Sequence, residues 1–513
     1  MATAPEHVEL AEFTAALSLA ADMAAGLSLE HGLRSCLLAT RLAARAGLAP
    51  GELRNVYYVA LLRSIGCTSD AHEQAELFGD EIAARAELNL APHLAPRELL
   101  GALSRHSGAG APPAQRARAI GRTLVAARML PRQIATAHCE VAKQLAASLG
   151  LPDEVPASLY AVFERWDGKG FPAGLRAGNI PVAARFAQVS YEALLLAEHL
   201  GGTERVGKLA GTCYDPDVAA LLAPGDAADV LALVKPWDRV LASEPDGPTA
   251  LSGEQFDRAC EAAADFADLK SPWLLGHSRG VAELAEAAAW RAGLGDTEVV
   301  AVRRAGLLHD LGRVAIPSGI WDRRGPLRDN EREQVRLHAY YTERVLARSP
   351  GLAPLGAIAG AHHERLDGSG YHRGCAAAQL PVAARLLAAA DGYQAMLRPR
   401  PHRGHREPDQ AAAELESQVR SGGLDGAAVR AVLAAAGHRQ QASRPVLPAG
   451  LSEREAQVLA LLARGISNRQ IAGQLGITPK TAGHHVQHIY TKIGVSTRAA
   501  AALFALRHDL LGP

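Results

Sequence analysis

An internal repeat constrains the fold of this 513-residue chain more than any other feature of its sequence. Residues 164–171 resemble residues 364–371, which lie 200 positions further along the chain. At the same offset, the segment Pro181–Arg185 is identical to Pro381–Arg385. A chain that contains one structural plan twice is expected to form two similar domains in tandem.

A second register extends this repeat toward the N-terminus. Residues 60–66 align with residues 306–312 at an offset of 246, and the same offset relates His31 to His277. The two copies differ at their polar positions. Where the second copy has the pairs His309-Asp310 and His362-His363 and the single residue Asp391, the first copy has Arg63-Ser64, Val162-Phe163 and Tyr191. We therefore expect the first copy to keep the framework and to bind no metal.

The composition indicates packed helices. Apolar residues make up 48% of the chain and aromatic residues only 4%, and the apolar positions recur at helical spacing. We predict an all-α protein with two tandem domains and a short C-terminal unit. The predicted division is a degenerate first domain at 1–223, a linker at 224–253, a complete second domain at 254–435, a linker at 436–450 and a C-terminal domain at 451–513. Within the first domain, we expect residues 101–117 to form a loop, because they are rich in Gly, Ala and Pro.

The charge and cysteine usage are those of a cytoplasmic protein. The formal net charge is zero, so a surface that binds nucleic acid must be local. The six cysteines are scattered without a CxxC pair, which is typical of reduced thiols. No apolar run is long enough to cross a membrane, and no signal-peptide pattern is present at the N-terminus. We expect a cytoplasmic protein without membrane contact.

Seven histidine and aspartate residues of the second copy are candidate metal ligands. We expect each of them at the end of a helical element, where a buried polar group needs a partner. Imidazole and carboxylate ligands without a nearby thiolate favour Mn, Fe, Co, Ni or Zn over Mg or Ca. More than four ligands indicate two ions, and a pair about 3.5–4 Å apart is a common device for activating water against a phosphodiester. The candidates are His277, His309, Asp310, His338, His362, His363 and Asp391.

Residues 268–435 resemble an HD-GYP domain, which is a branch of the HD metal-dependent phosphohydrolases. The resemblance rests on the seven candidate ligands, on the loop from Asp367 to Tyr371, and on the stretch Arg400-Pro401-His402-Arg403. The family hydrolyses cyclic di-GMP, and in it the aspartate that matches Asp310 bridges two metals. The resemblance implies His309, Asp310 and Arg313 as catalytic residues and two transition-metal ions, Fe or Mn. The substrate-binding residues that we expect are Arg313, Asp367, Gly368, Gly370, Tyr371, Arg400 and Arg403.

Three positions depart from the family pattern. Arg313 replaces the usual lysine after the glycine of the dyad, and an arginine can hold a phosphate with two hydrogen bonds. His372 replaces the proline of the Gly-Tyr-Pro motif. Trp273 stands where members with a third metal have glutamate, which favours two metals here.

The C-terminal 63 residues read as four short, capped helices. Ser452 and Glu455 form one capping box, and Ser467 and Gln470 form another. Thr478 precedes a helix that begins at Pro479. The second and third helices form a helix-turn-helix, in which the third helix reads base edges in the major groove. Seven Lys or Arg residues against three acidic residues suit contacts to phosphate.

This unit resembles the LuxR-type (GerE-like) DNA-binding domain over its whole length. The resemblance implies that the protein binds DNA as a homodimer. The residues expected to contact DNA are Asn468, Arg469, Thr478, Lys480, Thr481, His484, His485, Gln487 and Lys492.

Two functions of different classes remain open. The first is a transcription regulator that hydrolyses a phosphodiester of cyclic di-GMP or of a related nucleotide second messenger. The second is a transcription factor that senses a nucleotide or a metal without turnover. The intact set of ligands favours turnover, whereas the changed lysine and proline favour sensing.

Overall fold

The computed structural model describes residues 7–91, 96–109, 112–126, 129–437, 447–508 and 510–511. These residues are helical apart from a single two-stranded sheet and short connections. The prediction of an all-α protein is confirmed. In the part of the chain that is described, no helix is both long and apolar enough to cross a membrane.

The chain forms two compact units. The first unit contains Val8–Gln255 together with Pro317–Gly319, and the second contains Phe256–Ile316 and Ile320–Pro513. The strands β1 (His7–Glu9) and β2 (Ala250–Ser252) pair with each other.

The helices of the first unit are α1 (Leu10–Ala25), α2 (His31–Arg45), α3 (Pro50–Leu62), α4 (Ala71–Phe78), α5 (Glu81–Leu88), α6 (Pro96–His106), α7 (Pro113–Ala126), α8 (Leu130–Ser148), α9 (Glu154–Leu159), α10 (Val182–Leu200), α11 (Glu204–Lys208), α12 (Pro216–Ala220), α13 (Asp226–Leu231) and α14 (Pro236–Ala242). Its core forms where α2, α3 and α10 pack together. Leu38 and Leu42, four residues apart, bury the same face of α2. Each such leucine contributes about 1.5–3 kcal/mol through burial.

The helices of the second unit are α15 (Gly253–Asp268), α16 (His277–Arg291), α17 (Asp296–Leu308), α18 (Ser318–Trp321), α19 (Asp329–Leu346), α20 (Ala353–Ala359), α21 (Val382–Leu397), α22 (Pro408–Arg420), α23 (Gly426–Ala436), α24 (Glu453–Ala463), α25 (Asn468–Leu475), α26 (Pro479–Ile493) and α27 (Arg498–Arg507). The backbones of α16 and α17 approach closely. A Cβ added at Gly306 would lie 2.8 Å from the Cα of Ala282, so the crossing requires a glycine.

The two units share interior contacts that correspond at the offsets of the sequence repeat. Asp22 accepts a hydrogen bond from the backbone of Gly32, and Asp268 accepts one from Ser278, 246 residues later. Similarly, Glu164 and Glu364 each accept several backbone N–H bonds from the loop that follows them. The duplication inferred from the sequence therefore extends to buried polar contacts.

The caps of the C-terminal helices agree with the sequence prediction. Ser452 accepts from the backbone of Glu455, Ser467 from Gln470, and Thr478 from Thr481. The helices α24 to α27 begin within one residue of the predicted positions. Their start signals are local, so the sequence alone contains them.

The structure bears on three predicted segments. The prediction of a loop at 101–117 is wrong, since α6 and α7 occupy most of these residues. The alanine and arginine residues of the segment favour helix despite the scattered glycines. The segment 224–253 carries α13, α14 and β2. Most of the predicted linker 436–450 lies outside the described residues.

Within the second unit, the C-terminal segment contacts α15 and the turn that precedes α16. Arg507 Nε lies 3.4 Å from Asp265 Oδ2 in α15. A Cβ added at Gly276, which has a φ of +73°, would lie 2.8 Å from Leu506 Cδ1 and 3.4 Å from Leu511 Cδ1. The turn that leads into His277 is therefore tightly packed against the last helix of the chain.

Candidate metal centre

Five helices of the second unit bring the candidate ligands together. His277 is the first residue of α16, and His309 and Asp310 directly follow α17. His362 and His363 lie just after α20. The expectation that every ligand ends an element is wrong for two residues, because His338 lies inside α19 and Asp391 inside α21. Both side chains are buried, because tertiary packing turns these mid-helix positions toward the other ligands.

The ligand atoms form two separate groups of three and a third group that overlaps both. His277, His309 and Asp391 form the first group, and His338, His362 and His363 form the second. The overlapping group is His309, Asp310 and His362. Asp310 lies between the groups. Its Oδ2 is 3.0 Å from His309 Nε2 and 3.5 Å from His277 Nε2. Its Oδ1 is 3.5 Å from His338 Nε2 and 3.6 Å from His362 Nε2. Each oxygen of one carboxylate thus faces a different histidine group, as a bridging ligand would.

Backbone carbonyls fix the orientation of three imidazoles. The Nδ1 atoms of His309 and His362 lie 2.7 Å and 2.6 Å from the carbonyl oxygens of Gly306 and Ala359. His338 Nδ1 makes the same contact with Val335. Because a carbonyl only accepts, each Nδ1 must carry the proton, and each Nε2 presents its lone pair to the centre of the site.

Burial and charge prepare the site for cations. Burial lowers the pKa of His277 and His362 to about 3 and that of His338 to about 4, so these imidazoles are neutral at pH 7. Burial alone would raise the pKa of Asp310, but Arg313 and His309 hold it well below its usual range. Asp391 is likewise held ionised against the effect of burial, chiefly by His277.

Several buried atoms of the site make no hydrogen bond of acceptable geometry among the described residues, although most of them have charged or polar neighbours within 4 Å. They include both oxygens of Asp310, Oδ1 of Asp391, Nε2 of His309 and both ring nitrogens of His277. Unpaired buried polar atoms are costly unless something else binds them. Ionised carboxylates and neutral imidazoles are the donors that divalent transition metals require, so these residues fit such ions.

Arg313 closes one side of the centre. Its Nε lies 2.8 Å from Asp310 Oδ2, and only 6% of the residue is exposed. Its Cζ lies 4.9 Å from the ring centroid of Trp321, and that ring lies 5.6 Å from His338. The sequence prediction missed Trp321, because it lies at the end of a four-residue helix and belongs to no recognised motif.

The prediction also missed Asp268, which supports the start of α16. Its carboxylate accepts from the backbone N–H and from the hydroxyl of Ser278, the residue after His277. A signal was present in the sequence, since Asp22 stands 246 positions earlier in the first copy.

The loop after His363 places an aromatic ring over the histidines. The ring centroid of Tyr371 lies 4.7 Å from that of His363, and Arg336 Cζ lies 5.5 Å from the Tyr371 centroid. Asp367 is exposed and accepts from the backbone and hydroxyl of Ser369. Gly368 has a φ of +78°, and a Cβ at Gly370 would lie 2.4 Å from the backbone of Arg365. These last three residues therefore shape the turn.

The two predicted arginines after α21 differ in their surroundings. Burial lowers the pKa of Arg400 to about 9; the charge of Arg313 lowers it further, and the charges of Asp391 and Asp310 oppose the shift. Arg403 instead donates to the carbonyl oxygens of Ala395, Met396, Arg398 and Gly404. Its observed contacts hold the backbone after α21.

The predicted DNA-contacting residues lie on α25 and α26 or, for Thr478, at the cap of α26. Most are exposed, and Thr481 and His485 are half-buried. Lys492 differs from the others because its Nζ lies 2.7 Å from Glu455 and 3.0 Å from the carbonyl oxygen of Gly450. The residues are Asn468, Arg469, Thr478, Lys480, Thr481, His484, His485, Gln487 and Lys492.

Two sequence families match the second half of the chain. The family described as HD domain matches residues 261–428. The family described as bacterial regulatory proteins, luxR family, matches residues 449–505. The chain therefore carries an HD domain, the domain of metal-dependent phosphohydrolases, followed by a luxR-type helix-turn-helix domain.

Curated relatives match different parts of the chain. The 3'3'-cGAMP-specific phosphodiesterase 3 of Vibrio cholerae is 25% identical over 427 residues, which are 82% of this chain and 93% of that protein. A cyclic di-GMP phosphodiesterase of Thermotoga maritima is 36% identical over 28% of this chain and 39% of its own length. The probable transcriptional regulatory protein NarL of Mycobacterium tuberculosis is 47% identical over 15% of this chain and 35% of its own length.

A solved structure shares the fold of most of the chain. The crystal structure of a cyclic GMP-AMP specific phosphodiesterase from V. cholerae covers 84% of this chain and 98% of its own, with a TM-score of 0.57 and 22% identity. The covered share is larger than the HD domain alone, so the similarity of fold extends to the first unit.

Proposed function

We propose that this chain, which carries an HD domain followed by a luxR-type regulatory domain, is a DNA-binding regulator that hydrolyses a phosphodiester of a cyclic dinucleotide. Cyclic di-GMP and 3'3'-cGAMP are the substrates to test, because relatives named for each of them match the chain. We also propose the domain division of 1–223, 254–435 and 451–513, joined by the segments 224–253 and 436–450.

The observation that carries the proposal is the position of Asp310 between two groups of histidines. A carboxylate with one oxygen toward each group suits a pair of divalent ions, for which Fe and Mn are the leading candidates. His277, His309 and Asp391 would hold one ion, and His338, His362 and His363 the other. When bound, the ions supply Lewis acidity and lower the pKa of water.

The chain's own residues then position the substrate. Arg313 and Arg400 place two guanidinium groups beside the ligands, where they would bind phosphate oxygens. The rings of Trp321 and Tyr371 border the same space and offer surfaces on which a base would stack. Burial of the ligands keeps bulk water away and strengthens each of these electrostatic contacts.

The output of the protein is proposed to be DNA binding by α26. Its polar face carries Lys480, His484 and Gln487, all of them exposed. Insertion of this face into the major groove, with two chains on two half-sites, would produce sequence-specific binding by a homodimer.

Turnover tests the enzymatic part of the proposal. The purified chain, loaded with Mn or Fe, should linearise cyclic di-GMP or cGAMP. The variant His338→Ala should lose at least a hundredfold in kcat/KM, because it removes a metal ligand. A matched control is His138→Ala in the first unit, which should retain activity, since His138 lies outside both ligand groups.

The same sample distinguishes an enzyme from a sensor. If metal content is confirmed and neither dinucleotide is hydrolysed, the proposed enzymatic activity is wrong. Binding of a dinucleotide without turnover would then support the sensor function. In this chain Arg313, which lies against Asp310, takes the place of the family's usual lysine. This replacement is the feature that favours sensing without turnover.

A further inference from the structure

The interior of the first unit holds a guanidinium at the place where the second unit has a metal ligand. The surroundings of Gly66 and Gly312 show that the two places correspond in structure as well as in sequence. A Cβ added at either one would lie 2.1 Å from the carbonyl oxygen of His138 or His338, respectively. Arg63 precedes Gly66 by three residues, as His309 precedes Gly312. Arg63 therefore occupies the position of the first residue of the metal-binding dyad.

Aromatic rings surround this arginine. Its Cζ lies 3.6 Å from the ring centroid of Tyr191 and 5.2 Å from that of Phe163. The ring of His31 packs edge-on against Tyr191 at 4.7 Å, and the ring of His138 packs against Phe163 at 5.0 Å. These four rings correspond to Asp391, His363, His277 and His338 of the second unit. The same positions converge in both units, but with different chemistry.

The exchange of residues reverses the charge of the site. The second unit has two ionised carboxylates, Asp310 and Asp391, whereas the corresponding residues of the first unit are the neutral Ser64 and Tyr191. Burial lowers the pKa of both His31 and His138 to about 3, so they add no charge at pH 7. The remaining charge at these positions is the permanent cation of Arg63.

This cation lacks a counter-ion in the part of the chain that is described. Arg63 is only 7% exposed, and the hydrogen bond described for its side chain is to the neutral hydroxyl of Tyr191 and not to a carboxylate. Its Nε has no hydrogen-bond partner, and neither does Nε2 of His31. The nearby Asp22 is committed to the backbone of Gly32, and burial raises its pKa well above the ordinary value. A buried cation is costly unless it is paired, and the aromatic faces offset only part of that cost.

We propose that the first unit binds a phosphate group at Arg63 without any metal. The guanidinium supplies the positive charge that metal ions supply in the second unit, and Nε–H of Arg63 is a buried donor without a described partner. A phosphate is the anion class whose geometry matches an arginine fork. The phosphate could be inorganic or part of a cyclic dinucleotide. The inference goes beyond the proposed function, because it holds whether or not the second unit hydrolyses its substrate.

Titration calorimetry on the full chain in EDTA tests this site. Inorganic phosphate, cyclic di-GMP and cGAMP are the three ligands, in a buffer without competing oxyanions. We expect binding by the wild-type chain and by the variant His309→Ala/Asp310→Ala, in which the metal centre of the second unit is disabled. Arg63→Met should weaken that binding at least tenfold, and Arg63→Lys should weaken it less. Binding of inorganic phosphate assigns a site for a single phosphate, whereas binding of a dinucleotide alone assigns a nucleotide site.

Thermal unfolding provides a second readout that does not depend on the Met variant being well folded. Phosphate should raise the Tm of the wild-type chain and of the His309→Ala/Asp310→Ala variant, and should raise that of Arg63→Lys by less. The proposal is overturned if the wild-type chain binds none of the three ligands in EDTA. It is equally overturned if the two Arg63 variants respond to phosphate as the wild-type chain does.

Discussion

At the scale of single residues, Asp310 determines what the second unit can do. The sequence predicted the ligands because histidine and aspartate residues in apolar surroundings need partners, and seven of them are spaced along one stretch. It could not predict that the two oxygens of Asp310 face different histidine groups, because that depends on how α16, α17, α19 and α21 pack. Trp321 and Asp268 were missed for the same reason: their importance comes from contacts between elements.

The position of Asp310 between the two histidine groups makes metal content a residue-specific prediction. Asp310→Asn should reduce the bound metal toward zero, since both proposed ions would lose a charged ligand. Asp391→Asn should leave about one ion per chain, because the group of His338, His362 and His363 stays complete. Elemental analysis of the purified variants measures this, with Asp367→Asn as a control at an exposed carboxylate. Equal metal loss in the Asp310 and Asp391 variants would contradict the bridging role.

Trp321 should affect substrate binding without affecting metal binding. Its ring lies on Arg313 and beside His338, yet it has no ligand atom for a metal. We expect Trp321→Ala to lower kcat/KM about tenfold, a loss typical of an aromatic contact to an arginine or a base. Steady-state kinetics with parallel metal analysis would show this. Trp290→Ala, at an exposed tryptophan of α16, is the matched control, and an equal effect of both variants would refute a specific role.

At the scale of elements, local signals were sufficient for some helices and insufficient for others. The helices α24 to α27 were predicted closely because Ser452, Ser467 and Thr478 begin three of them with side-chain caps. The helices α6 and α7 were predicted as a loop, because glycine and proline were weighed more heavily than the surrounding alanine and arginine. In the same way, His338 and Asp391 were expected at helix ends, although tertiary packing places them mid-helix.

The cap at the start of α24 makes the stability of this helix depend on pH. Lys492 and the backbone of Ser452 lower the pKa of Glu455 to about 2. The folded-state pKa is therefore below the unfolded value, so the stabilisation is complete above about pH 4.5 and is lost as pH falls toward 2. Glu455→Gln should cost about 1–2 kcal/mol near pH 7 and progressively less below pH 4.5. Hydrogen exchange of residues 453–463 in the full chain measures the difference.

Glu453 supplies the control for this pH dependence. It is an exposed acid in the same first turn of α24, so Glu453→Gln should change hydrogen exchange little at any pH. A cost for Glu455→Gln that stays constant from pH 7 to pH 3 would show that the side chain acts by packing and not by its charge.

At the scale of the whole molecule, the second unit joins the candidate metal centre to the luxR-type domain through a short contact. Leu506 and Leu511 cover Gly276, and the next residue along the chain is the candidate ligand His277. The sequence contained both domains but not this contact, because it depends on packing between residues more than 200 positions apart. A shift in either partner would be transmitted to the other, since tightly packed atoms do not yield independently.

Gly276→Ala should loosen this contact. The added methyl group would meet Leu506, and alanine is strained at a φ of +73°. We expect faster hydrogen exchange in residues 498–507. Gly293→Ala is matched for backbone strain, with a φ of +79°, but has no atom within 4 Å of the added group, so it should leave α27 unchanged. Equal hydrogen exchange of residues 498–507 in the two variants would show that the contact at Gly276 does not stabilise α27.

The repeated framework has a consequence for how this protein could have arisen and could still change. Buried scaffold contacts, such as those of Gly66 with His138 and of Gly312 with His338, are alike in both copies, whereas the groups they surround have diverged. After a duplication, one copy can preserve an activity while the other accumulates substitutions that the shared architecture tolerates. The first copy is five substitutions from the ligand set of the second: Arg63→His, Ser64→Asp, Val162→His, Phe163→His and Tyr191→Asp. Five substitutions would therefore give the first copy the same ligand types without altering the scaffold contacts that both copies share.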